Sequence, residues 1–74
     1  MNYKIFSIKD TVTGQFSKPE LFVNDMHAVR WFDGICSESK IKGDLQLYLL
    51  GTFDIETGDI ISEVKFVQGG MNNV

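Results

Sequence analysis

Few residues in this chain have types and spacing that could do chemistry. It has one histidine, His27, and one cysteine, Cys36. Acid–base catalysis needs a base within reach of a nucleophile or substrate proton, and a metal needs several ligands at set spacing. His27 has neither partner. Its helical neighbour three residues on is Arg30, which supplies no mechanism, so a surface or partly buried helix position is expected. Cys36 falls at the end of the same predicted helix, away from the N-terminal dipole that activates a thiol. It is expected to act as a small apolar packing residue. The 10 carboxylates are dispersed. Asp10 and Asp54 suit turns, Asp25 a helix start and Asp44 a strand start, so each has a local structural reason. Walker, Gly-x-Gly-x-x-Gly, Cys-x-x-Cys and His-Glu-x-x-His motifs are missing from the sequence. The expectation is a non-enzymatic protein with no catalytic residues, no metal and no cofactor.

One constellation points toward binding instead. Tyr3, Tyr48 and Phe53 lie in strand-like runs, with Lys4, Lys9, Lys40, Lys42 and Lys65 available to flank them. Single-stranded nucleic acid is held in this way, with bases stacked on aromatics and phosphates on lysines. The competing reading places the aromatics in a core or dimer contact and the lysines on a solvated surface. Trp31 is expected to be a core anchor. For nucleic-acid contact the residues singled out are Lys40, Lys42, Arg30 and Tyr48. The net charge of −3 disfavours a large sequence-independent grip on DNA, which needs clustered Lys and Arg.

The elements that must position these residues are punctuated by two similar segments. Asp10-Thr11-Val12-Thr13-Gly14 and Asp54-Ile55-Glu56-Thr57-Gly58 share the pattern Asp-x-x-Thr-Gly between apolar runs. An Asp that accepts bonds from its own turn, followed by a Gly that takes positive φ, marks a tight hairpin loop. The first hairpin runs from Asn2 through Gln15-Phe16-Ser17 and is interrupted at Pro19, which has no N–H for a ladder. Leu21-Phe22-Val23 reads as a brief extension or the entry to a helix. That helix is expected from Asp25 to about Cys36, capped by Asn24, with Ala28, Trp31, Phe32 and Ile35 as its apolar stripe, widened by Val29 and Cys36. A polar loop, Ser37 to Asp44, precedes strands Leu45–Phe53 and Ile60–Val67. Gly51 signals a bulge or a close backbone approach.

The predicted fold class is therefore α+β: a four-stranded antiparallel sheet, hairpin–helix–hairpin (ββαββ), with one helix packed on one face. Residues 1–67 form a single domain, and 68–74 are expected to be a flexible C-terminal tail. One helix cannot cover both faces. The uncovered face should carry apolar groups drawn from Tyr3, Ile5, Tyr48, Leu50, Ile61 and Val67, the choice depending on register. A chain of 74 residues hides only about 60–65% of its unfolded surface on folding, so pairing into a homodimer is expected. No run is long and apolar enough to span a membrane, and no membrane partner is expected. The N-terminus lacks the charged leader and apolar stretch of a signal peptide, and a lone cysteine rules out an internal disulfide. Together these point to a reducing cytoplasm.

Several segments together resemble a known family. They are Lys4-Ile5-Phe6-Ser7-Ile8-Lys9-Asp10, Gly14-Gln15-Phe16 with Pro19, Ala28-Val29-Arg30-Trp31-Phe32, the run Asp44 to Asp54, and Thr57-Gly58-Asp59-Ile60. In order and spacing, over about residues 3 to 60, they are similar to the small nonstructural protein of gokushovirus-type microviruses, the single-stranded-DNA phages of bacteria. The resemblance implies a nonstructural, DNA-binding accessory protein of single-stranded genome synthesis in the host bacterial cytoplasm. Its implied partners are single-stranded DNA or a phage or host replication protein. The alternative is a protein–protein interaction module that docks a host or phage protein through an apolar sheet face.

Overall fold

The computed structural model describes residues 2–70. In chain order they form β1 (Asn2–Asp10), β2 (Gln15–Phe16), β3 (Glu20–Phe22), α1 (Asp25–Ser37), a 3-10 turn (Lys42–Asp44), β4 (Leu45–Asp54) and β5 (Ile60–Gly69). All strand pairings are antiparallel, in the order β2-β1-β4-β5, with β3 also paired to β1. The α+β hairpin–helix–hairpin architecture is as expected. The sheet counts five strands because the arm returning along β1 is split in two.

The split follows from Pro19, which cannot donate to β1. Serine side chains stitch the gap. The Ile8 amide donates to Ser17 Oγ at 3.1 Å, and Ser7 Oγ donates to the Ser17 carbonyl at 2.7 Å. Ser7 is fully buried with its hydroxyl satisfied, so it adds no desolvation penalty. Beyond the proline the chain rejoins the ladder, pairing Lys4 with Phe22 and Phe6 with Glu20.

Both hairpin loops close by one set of bonds. Asp10 Oδ1 accepts from the Val12 and Thr13 amides, and Asp54 Oδ1 from those of Glu56 and Thr57. Thr13 Oγ1 accepts from the Gln15 amide, and Thr57 Oγ1 from that of Asp59. Gly14 and Gly58 take φ of 76° and 81°, a region costly for residues with a Cβ.

The helix begins where Asn24 Oδ1 accepts the His27 amide at 3.0 Å, and Asp25 reaches across to Lys4 at 2.9 Å. Its buried line is Ala28, Phe32 and Cys36, spaced four apart. This shifts the expected stripe by part of a turn. Ile35 is left exposed and Cys36 is central. Trp31 is only partly buried, packed on Phe22 with ring centroids 5.2 Å apart at the margin of the core. Against the helix stand Phe6 and Ile8 of β1 and Leu45 and Leu47 of β4. The molecule measures 43 × 23 × 16 Å, a slab one sheet and one helix thick.

Register decides the rest. Ile5 pairs with Gly51 but Phe6 with Leu49, so Leu50 is an extra residue in β4. Gly51 takes φ of 153°, and a Cβ there would lie 2.1 Å from the Ile61 carbonyl oxygen. Bulge and close approach thus coincide at this glycine. β5 runs to Gly69, past the expected end at Val67. Gln68 Nε2 donates to Asp33 Oδ1 of the helix at 2.9 Å, and the Gly70 amide donates to the Leu45 carbonyl at 2.8 Å. Gln68 and Gly69 therefore belong to the sheet rather than to a flexible tail, and residues 71–74 of that expected tail lie outside the described residues.

Candidate binding face

Following the pairs across the sheet sorts its side chains. Phe6, Ile8 and Leu47 meet the helix. The alternate set lies on the other face: Tyr3, Ile5, Ser7 and Lys9 of β1, with Gln46, Tyr48 and Phe53 opposite them on β4. Phe16 pairs with Lys9 and Leu21 with Ile5, adding the edge ribbon to this face. Phe66 pairs with Tyr48, Ser62 with Gly51 and Ile60 with Phe53, adding β5. Of the apolar residues whose side hinged on register, Tyr3, Ile5 and Tyr48 are on the uncovered face. Val67 packs against the core on the helix side, and Ile61, opposite Thr52 and in line with Lys4, shares that side.

A row of aromatic rings crosses this face. Phe16 and Tyr48 meet edge to face with centroids 5.3 Å apart, and Tyr48 and Phe66 likewise at 5.7 Å. Lys9 Nζ sits 5.6 Å from the Phe16 centroid and 5.8 Å from that of Tyr48, within cation–π range of both. Tyr48 Oη donates to Gln46 Oε1 at 3.3 Å. Phe16 is 43% exposed and Phe66 52% exposed, and Leu21, Ile60 and Val64 are also open. Lys9 is the one ionic side chain that the register places among them.

The four residues singled out for nucleic-acid contact do not converge. Tyr48 is in the aromatic row. Arg30 is exposed on the helix that covers the opposite face, and Lys40 and Lys42 come after that helix in the loop leading to β4. Lys42 lines a shallow hollow of about 600 Å³ with Asp33, Cys36, Ser37 and residues 68–70. Lys4 is engaged with Asp25, and Lys65 pairs with Leu49 on the helix side. Of the lysines considered, only Lys9 stands with the aromatics. Phe16 and Phe66 were not singled out by sequence reasoning. Their signal was present in the strand alternation, but it needed the pairing partner of Tyr48 to be read.

Cys36 is buried, and its thiol pKa is raised by that burial and by the Asp33 carboxylate, the reverse of an activated nucleophile. His27 is exposed on the first turns of the helix. Among the described residues, no three His, Cys, Asp or Glu side chains are grouped to hold a metal. Among the described residues, no helix is long and apolar enough to cross a membrane.

Fold and surface together define a small α+β domain with one sheet face sheltered by a helix and the other open and aromatic. The chain belongs to the Phage ORF5 protein family, whose model matches residues 3–72, and it is accordingly a phage protein. No curated protein and no solved structure matches it.

Proposed function

We propose that this protein is a non-enzymatic phage accessory factor in single-stranded genome production, and that it works in the host cytoplasm by docking a protein of the replication machinery on its open sheet face. The observation that carries this reading is the composition of that face: Phe16, Tyr48, Phe66, Leu21, Ile60 and Val64 around a single cation, Lys9. Partner surfaces are enriched in aromatics and depleted of charge at their centre, and an apolar sheet face of this kind is seldom left to water. Membership of a phage family and the resemblance to microvirus nonstructural proteins supply the biological setting. The test is capture of the phage and host replication proteins by the immobilised chain, against a Tyr48→Ala/Phe66→Ala variant. Loss of a specific partner in the variant supports the reading. Equal capture by both, or capture abolished by charge reversal at Lys40 and Lys42 instead, refutes it.

Direct binding of single-stranded DNA is the second reading, favoured by the placement of Lys9 over both Phe16 and Tyr48. Rings that stack bases beside a lysine that holds phosphate are the elements of a single-strand platform. One cation on the face predicts a shallow salt dependence, with a log–log slope of about −0.7 for each phosphate neutralised. An anisotropy titration with a single-stranded oligonucleotide at low and moderate salt separates the two readings. Binding lost in Tyr48→Ala and Lys9→Ala selects DNA, and no binding at tens of micromolar protein removes it.

A further inference from the structure

β5 ends the sheet, and among the described residues nothing pairs with its outer edge. Ile60 to Phe66 is exposed on both sides of the strand, with Ile60 66%, Ile61 65% and Val64 62% open. Long apolar edges with free N–H and C=O groups recruit another strand, and natural proteins normally cover or blunt them. The chemistry of this strand says which partner suits it. Written from Ile61 to Val67, it is apolar, polar, acidic, apolar, basic, apolar, apolar, with Val64 at its centre.

We infer that two copies of this chain pair antiparallel along β5, with the twofold axis at Val64. Val64 then faces its own counterpart. Glu63 faces Lys65 of the second copy, Lys65 faces Glu63, Ser62 faces Phe66 and Ile61 faces Val67. Residues opposite each other in an antiparallel pair share a face, and opposite charges so placed attract. Neighbouring registers lose this match. Shifting the axis to Glu63 or Lys65 sets like charges against each other, and a half-step either way sets both charges against uncharged residues. Only the register centred on Val64 pairs both ions.

This arrangement keeps both helices on one side of a continuous double-length sheet. Lys65 lies on the helix side opposite Leu49, and Phe66 on the open side opposite Tyr48; Glu63 and Val64, which fall at the irregularity across from Leu50, follow by alternation, Glu63 with Lys65 and Val64 with Phe66. The two aromatic rows, Phe16–Tyr48–Phe66 and its symmetry mate, therefore share one surface. The pairing is independent of what that surface binds.

Sedimentation equilibrium of the full chain across 1–200 micromolar, a range chosen to bracket weak small-domain association on the order of micromolar Kd, tests it. A concentration-dependent dimer is expected. Glu63→Lys and Lys65→Glu should each weaken it about tenfold, since each turns two attractive pairs repulsive. The combined Glu63→Lys/Lys65→Glu chain should regain the original affinity, because the ions are exchanged and still opposed. Disulfide trapping gives a second readout. Val64→Cys should cross-link to itself under mild oxidation, as paired Cα atoms in either type of antiparallel site fall within disulfide reach, whereas Ser62→Cys should not. A monomer throughout the range, single swaps without effect, a double swap as weak as the singles, or equal cross-linking at both positions would each overturn the inference.

Discussion

In the first hairpin the Asp10 loop leads back into a ribbon cut at Ser17–Pro19, whose far piece lies under the helix through Phe22 and Trp31. In the second, the Asp54 loop leads into an unbroken strand of 10 residues whose first seven, 60–66, are exposed. The loops use the same bonds and nearly the same glycine φ. A hairpin loop thus sets the reversal of the chain and the starting register, but says nothing about what will cover the arms. The first pair of arms meets the helix through Phe6, Ile8 and Phe22, while Phe16 and Leu21 stay open on the other face. The second extends beyond the helix and offers both an open face and an open edge.

The sharpest way to test this contrast is to remove one phenylalanine from each hairpin. Phe6 is fully buried against the helix, so Phe6→Ala should cost about 3–5 kcal/mol and leave little folded protein. Phe66 is half exposed, so Phe66→Ala should cost about 1 kcal/mol or less. Urea titration followed by Trp31 fluorescence measures both, and similar losses would mean that the second hairpin is as well covered as the first.

Next in size is Gly51→Ala. The backbone there takes a conformation strongly reserved for glycine, and the new methyl would overlap the Ile61 carbonyl. A loss of roughly 2–4 kcal/mol is expected. Hydrogen exchange should locate the damage in the amides of β5, with those of β1 at its pairing with β3 spared. Exchange that rises evenly across the sheet would show the two hairpins to be one cooperative unit.

Gly14→Ala and Gly58→Ala probe the loops themselves. Nothing lies within 4 Å of a Cβ at either site, so only backbone strain is felt, at about 1–2 kcal/mol each. Equal losses by thermal unfolding would establish that the loops are equivalent. A smaller loss at Gly58 would mean that the exposed hairpin yields locally.

The smallest effect is one of pH. The Glu56 and Thr57 amides hold the Asp54 carboxyl below its ordinary value of 3.8. A group with a depressed folded pKa adds stability above its unfolded pKa and loses it as pH falls through the folded one. Asp54 should therefore support the second loop at neutral pH and release it only below about 3.8. Amide shifts of Glu56 and Thr57 in an acid titration should trace one such midpoint, and Asp54→Asn should abolish it. A midpoint above 3.8 would contradict the loop geometry.

Much of the fold was legible because it is written locally. The two Asp-x-x-Thr-Gly loops, Asn24 as cap, Pro19 as the break and Gly51 as bulge each act over a few residues through bonds to their own turn or through φ. The candidate face was legible only in part. Tyr48 was identified and Lys9 was among the lysines considered, but Phe16 and Phe66 join them through pairings with Lys9 and Tyr48 that are distant in sequence. Arg30 is carried on the helix that covers the opposite face, and Lys42 lines a hollow with Asp33 and Cys36 of that helix, so neither joins Tyr48.

By itself, then, the sequence determined the α+β class, the turns, the helix start and the surplus of apolar side chains over what one helix can shelter. Only the tertiary structure decided which side those residues face. Strand alternation has a period of two, so each extra residue, Leu50 in β4 and Val67 in β5, turns the rest of its strand to the other face. Where such a residue is tolerated depends on contacts between strands, which no local pattern contains.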